Sequence, residues 1–280
     1  MPSDMKVSSL LPDLFSVDPP TVDGKDPLIQ TALTLKQFDV PMLAGSDATL
    51  SHPTKAGPPL GGVYGSYGVL KKVATTEPKE FYKLLWTPAS AFPTYVGSYS
   101  FHESLEEILG SFVSTRFGVV KVKEENDETL LTLREMVGLV RERLLTVSST
   151  TAEVSSTPIT ISSGSSIIDA IRAMLAHNVR RLFLGAGSRD FVSDRSVIDH
   201  LFSRESLEAA KAIPEAWTNG TVSTLPTRTA RELPSGNLGM AADIIGDRPD
   251  DCLMTDKGKV VSRWDIVVKP WKAGKLSPTT

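Results

Sequence analysis

The chain has 280 residues, of which 40% are apolar and 22% charged, and its formal net charge is −3. That composition is ordinary for a globular protein, and its charge balance advertises no basic surface for nucleic acid. A single cysteine, Cys252, excludes an intrachain disulfide framework.

No stretch approaches the ~18 consecutive apolar residues of a membrane helix. Residues 1–17 lack the basic start and apolar run of a signal peptide. A cytoplasmic protein with no membrane and no nucleic-acid partner is therefore expected.

From Pro20 onward one order of elements recurs: a short extended segment, an amphipathic helix, a β-rich stretch, then a Ser or Thr opening a second helix. The first copy, residues 20–75, begins at Pro20-Thr21-Val22. Its helix carries Leu28, Ala32 and Leu35, and its strand is Val40 to Leu43. A Gly-, Ser- and Pro-rich loop over 45–60 interrupts it, and such segments are usually functional or disordered. Val63-Tyr64 and a helix with Val69 and Leu70 complete it.

The second copy, 88–145, runs from an extended Pro93–Ser100 into a helix with Leu105, Ile108, Leu109 and Phe112 on one face. Phe117–Val122 reads as a strand and Glu124–Glu128 as a charged turn. Leu130-Leu131-Thr132 leads into a helix with Met136, Leu139 and Val140.

The third copy, 152–205, has the clearest pattern. Thr157–Ile161 is β-branched and extended, and Ser165-Ser166 can cap a helix whose face carries Ile167, Ala170, Ile171, Met174 and Leu175. Asn178 ends it, because asparagine tolerates the left-handed conformation past a helix. Val179–Leu184 and Phe191–Ser193 read as strands, and the second runs into a helix with Val197, Ile198, Leu201 and Phe202. In the fourth copy, 224–270, Met240–Ile245 is a short helix and Cys252–Met254 a strand. Asp256-Lys257-Gly258 forms a tight turn, Lys259–Val261 the return strand, and Ser262 opens the last helix.

The aligned positions Gly65, Thr132, Ser193 and Ser262 are 67, 61 and 69 residues apart. Four occurrences at that rhythm define a repeat.

Catalytic motifs do not emerge. The four histidines, His52, His102, His177 and His200, show no zinc-ligand spacing. No Gly-Lys-Ser/Thr phosphate loop is present. Gly185-Ala186-Gly187 lacks the third glycine of a dinucleotide loop and reads, with Ser188-Arg189-Asp190, as a polar hairpin turn. Gly65-Ser66-Tyr67-Gly68 lacks the spacing of a nucleophile elbow. A non-enzyme without a cofactor or metal is expected.

On these residues the chain resembles the CBS domain family. The family's hallmark, Gly-apolar-x-Thr/Ser-x-x-Asp, is similar to Gly258 through Asp265, with Ser262 and Asp265 at the key positions. Around Ser193 the acid is replaced by Ser196. Around Thr132 it is Glu135, and the first copy has only Gly65 and Gly68. Asn178-Val179-Arg180-Arg181 is similar to the family's helix-to-strand junction with its basic pair, of which Thr115-Arg116 keeps one member.

The resemblance implies an α/β fold of four β-α-β-β-α repeats in two pseudo-symmetric pairs, closing into a monomeric disc or a homodimer. It implies a regulatory, energy-sensing protein that binds an adenosine-containing ligand: AMP, ADP, ATP or S-adenosylmethionine. A regulated partner protein is implied as well. The expected site lies between the third and fourth copies. Asp265 accepts the ribose hydroxyls, and Ser262 and Ser193 supply hydroxyls. Arg181, helped by Arg180, holds phosphate, and the backbone from Pro158 through Ile159 to Thr160 lines the adenine. Carboxylates accept diols, and an arginine fork matches phosphate oxygens.

A second site would use Arg116, Thr132 and Glu135. There Arg116 faces glycines, and Thr132 and Glu135 face Asp39, so that pair reads as structural. Ser262 and Asp265 read equally as a helix cap with an acid at its third position. The alternative to a sensor is thus a structural interaction module with decayed sites. Trp264 and Trp271 read as packing residues.

Overall fold

The computed structural model describes residues 5–16, 20–40, 42–45, 60–234, 236–246 and 251–279. The loop expected over 45–60 falls, from 46 to 59, outside the described residues. The elements in the first half are β1 (Thr21–Val22), α1 (Leu28–Phe38), β2 (Met42–Gly45), β3 (Leu60–Gly65), α2 (Ser66–Thr75) and α3 (Phe81–Leu85). Then come β4 (Thr94–Ser100), α4 (Leu105–Thr115), β5 (Val119–Glu124), β6 (Asp127–Thr132), α5 (Leu133–Arg141) and β7 (Leu145–Val147). The second half holds α6 (Ile167–His177), β8 (Arg181–Phe183), β9 (Asp190–Ser193), α7 (Asp194–Leu201), α8 (Arg204–Ala212), β10 (Arg228–Thr229) and β11 (Arg231–Leu233). It ends with α9 (Leu238–Ile244), β12 (Leu253–Thr255), β13 (Val260–Val261), α10 (Arg263–Lys272) and β14 (Leu276–Pro278).

Helix ends follow the capping residues. Ser104, Ser166 and Asn237 accept hydrogen bonds from the backbone N–H of Glu107, Asp169 and Met240, satisfying donors that the first turn leaves open. Asn178 closes α6 at φ 50°, and Asp39 and Arg116 close α1 and α4 in the same left-handed region. Gly65, Thr132, Ser193 and Ser262 all stand as the extended residue before a helix, at the starts of α2, α5, α7 and α10.

The strands β1 to β6 form one six-stranded sheet in sequence order. Its centre is the antiparallel joint of β3 with β4, where Val63 stands opposite Thr94. In the second half the strands form two three-stranded sheets, β10-β9-β8 and β11-β12-β13. The segment predicted as a strand over 157–161 is extended but makes only isolated bridges, Ser156 with Val260 and Thr160 with Phe183. Pro158 has no N–H to extend a ladder. This segment therefore bridges the two small sheets rather than joining either. Phe183, Phe191, Ala230, Cys252, Met254 and Val260 pack between them.

Helices bury their apolar faces across the two halves. One core joins Leu28, Leu35 and Val69 to Ile167, Ile171 and Ile198. A second joins Ile108, Phe112 and Met136 to Leu238, Ile266 and Val267. The first half is thus held to the second by two helical interfaces, each a continuous apolar core. Trp264 and Trp271 are partly buried against the second core. Three features were not foreseen: α3, the helical insert that begins with α8, and the β7–β14 pair, which ties the C-terminal strand to Leu145–Val147. No helix among the described residues is long and apolar enough to cross a membrane.

Candidate functional site

A cavity of about 720 Å³ opens between the halves. Both sequence-predicted sites contribute to this one space. Its walls include Pro158, Ile159, Arg180, Arg181, Ser262 and Asp265 from the second half, and Arg116 and Thr132 from the first. Three expected residues stand elsewhere. Thr160 is exposed and bridges to Phe183. Ser193 is fully buried and caps α7 through Ser196. Glu135 is spent on α5's own cap, where its carboxylate accepts from the Thr132 N–H at 2.8 Å and from the Thr132 hydroxyl at 2.5 Å.

The Asp265 carboxylate is 4% exposed and surrounded by donors. Oδ2 accepts from the Ser262 N–H at 2.8 Å and from its hydroxyl at 2.7 Å. Oδ1 lies 2.7 Å from Lys269 Nζ and accepts from the Ser156 hydroxyl at 3.4 Å. Local spacing explains both: an N-cap serine and an acid three residues on reach each other's backbone, and positions i and i+4 share a helix face.

The basic pair is also engaged. Arg180 forks onto Asp194, with Nε 2.9 Å from Oδ2 and Nη2 3.2 Å from Oδ1. Arg181 Nη2 donates to the Asp251 carbonyl at 3.0 Å, while the Asp251 carboxylate takes Arg228 at 2.6 Å.

Sequence reasoning missed Arg263, Arg134, Lys269 and Lys272, which also line the cavity. Arg263 is 8% exposed and donates to the Gly246 carbonyl. Burial above all, then the positive charge of Arg181, lowers its pKa to about 10, with Arg180 and Arg134 adding to the effect and Asp251 opposing it. Arg116, Arg134, Arg263 and Lys272 make no ion pair among the described residues. In total seven Arg and Lys side chains line the cavity against three carboxylates, Asp39, Asp194 and Asp265. A sequence signal for this existed. Arg263 and Arg134 sit in the first turns of α10 and α5, where the helix dipole disfavours a cation. Each shares that turn with an acid of the chain, Asp265 beside Arg263 and Glu135 beside Arg134.

The first copy's missing acid has a steric cause. Gly68 occupies the place of Asp265 in α2, and a Cβ on it would lie 2.6 Å from the Phe92 carbonyl oxygen. Backbone fills the space that a side chain would need.

No protein-family model matches the chain, and no curated protein is significantly similar to it. Solved structures do match. Protein MJ1225 from Methanocaldococcus jannaschii, described as a proposed archaeal homologue of g-AMPK, superposes with a TM-score of 0.77 at 14% identity, over 95% of this chain and 100% of that one. The CBS-domain containing protein ATU1752 from Agrobacterium tumefaciens gives 0.38 at 20% identity, over 48% of this chain and 98% of that one. The CBS domain of a CBS domain containing membrane protein from Sphaerobacter thermophilus gives 0.35 at 16% identity, over 49% and 88%.

Proposed function

Because the chain has the CBS-domain fold, we propose that it is a non-catalytic regulatory protein whose central cavity binds an adenosine phosphate and signals to a partner protein. One observation carries this reading: basic side chains outnumber carboxylates by seven to three in a cavity of about 720 Å³, with Arg263 buried among them. Ligand pockets of about 300–1,000 Å³ are typical. Pro158 and Ile159 supply an apolar wall suited to an adenine, and Arg181 and Arg263 supply forks for phosphate. The same charge excess disfavours S-adenosylmethionine, whose sulfonium is a cation. The partition into four repeats, 20–75, 88–145, 152–205 and 224–270, belongs to this proposal, as does a single chain acting as the sensing unit. The likeness to a proposed g-AMPK homologue supports a regulatory role.

Native mass spectrometry of the full chain, purified without added ligand, tests it. The expected result is an adenine nucleotide that departs on unfolding. The second reading, a structural interaction module, draws on the internal pairs Arg180–Asp194 and Lys269–Asp265. A bare polypeptide mass, with no binding of AMP, ADP or ATP at ~1 mM, would leave that reading in place.

A further inference from the structure

Resting on the reading that the cavity is the ligand site, we infer that it recognises a chain of three or more phosphates rather than the ribose of a nucleoside, so that inorganic tripolyphosphate binds in its own right. The ribose side of the argument is a matter of acceptors. A diol is a donor of two O–H bonds and needs free carboxylate lone pairs. An ionised carboxylate offers about four acceptor positions. On Asp265 three are taken at 2.7–2.8 Å, by the Ser262 N–H and hydroxyl and Lys269 Nζ, and the Ser156 hydroxyl stands at 3.4 Å beside them. Asp194 carries the Arg180 fork on both oxygens and the Arg195 N–H at 2.9 Å besides. Asp39 lies 3.5 Å from Arg195 Nη2. A ribose entering the cavity meets carboxylates that already serve the fold.

The phosphate side is a matter of charge. Arg116, Arg134, Arg263 and Lys272 face the cavity without an ion pair among the described residues. They come from both halves, with Arg116, Arg134 and Lys272 exposed and Arg263 buried. Such charges repel, most strongly where burial removes screening water, as at Arg263. A monophosphate carries about −1.5 to −2 at neutral pH and balances about half of these four groups. A triphosphate carries about two charges more and balances them all. Arginine forks also fit successive phosphates of a chain, each by paired N–H donors. The cavity volume leaves room for a nucleoside on such a chain without requiring it.

Calorimetric titration of the full chain with tripolyphosphate, ATP, AMP and adenosine, at one fixed salt concentration, decides the matter. Expected are a tripolyphosphate affinity within about tenfold of that for ATP, an AMP affinity lower by about a hundredfold, and no heat from adenosine. Arg263→Gln should weaken tripolyphosphate by more than about tenfold. Arg134→Gln changes an exposed residue, folds without difficulty, and should weaken it by several-fold. Equal affinities for AMP and ATP with tripolyphosphate inert would overturn the inference while leaving the adenosine reading intact. Tripolyphosphate bound and ATP excluded would uphold the inference and end the adenosine reading. No binding of either would end both.

Discussion

Lys269 Nζ lies 2.7 Å from Asp265 Oδ1, one turn further along α10, and the same ammonium donates to the Val154 carbonyl and the Ser156 hydroxyl. The acid of the family signature thus anchors the start of α10 to the segment that bridges the two small sheets. Asp265→Asn is expected to lower unfolding stability by about 1–3 kcal/mol, the range for losing a cap and a charge-assisted hydrogen bond. It should change the ATP affinity by less than about threefold. Denaturant melts and calorimetry on the same samples check this. A tenfold loss of affinity at equal stability would return the ribose to Asp265.

Arg263 should show the opposite division of effects. Its folded pKa of about 10 lies well below the ordinary arginine value, so the folded state disfavours its charge. Below pH 10 the group is protonated in both folded and unfolded chains, and the cost of burying the charge is present in full. As pH rises through 10 the folded chain sheds the proton first, the unfolded chain holds more protons, and the cost is relieved. Arg263→Met should therefore be as stable as wild type or more stable by up to ~2 kcal/mol at neutral pH. Between about pH 10 and 12 the two should converge. Denaturant melts of both proteins across that range measure the difference. A neutral-pH loss of several kcal/mol in the variant would show that its bond to the Gly246 carbonyl outweighs the buried charge.

Gly68→Asp restores the missing acid of the first copy and should fail to restore a site. With the Phe92 carbonyl oxygen 2.6 Å from the new Cβ, backbone must shift, which costs about 1–3 kcal/mol. Thermal melting should fall and ATP stoichiometry should remain that of wild type. A second equivalent of bound ATP would contradict the steric account.

Arg195 links the halves. It is 6% exposed, donates to the carbonyls of Leu35 and Lys36 at the end of α1, and approaches Asp39 and Asp199 at 3.5 Å. Arg195→Ala leaves those carbonyls and acids without its fork and should cost about 3–5 kcal/mol. Arg195→Lys, a single ammonium in place of a planar fork, should recover only part of it. Full recovery by lysine would mean that charge alone matters there.

Much of the architecture was legible because its signals are local. Ser166 and Asn178 bound α6 on both sides, the β8–β9 hairpin turns through Gly185 and Gly187 at positive φ, and the rhythm of Thr132, Ser193 and Ser262 marks three helix starts. Helix faces such as Ile108, Leu109 and Phe112 followed from period alone. The site was less legible. Arg116 and Arg134 reach the same space as Arg180, Arg181 and Arg263 only through the packing of one half on the other, which no linear spacing encodes. The capping role of Asp265 was readable from its spacing to Ser262, but its ion pair with Lys269 and the capping role of Ser193 were not. The β7–β14 pair escaped notice because three-residue strands carry no period.

A crystal structure of the full chain grown with ATP would show where the nucleotide sits and which groups hold it. Expected is one ATP inside the cavity, its phosphate oxygens about 3 Å from the Arg263 and Arg134 guanidiniums, and Asp265 still bonded to Lys269 and Ser262. ATP bound elsewhere on the molecule, or held in the cavity by its ribose on Asp265 with the phosphates turned to solvent, would contradict phosphate-led binding.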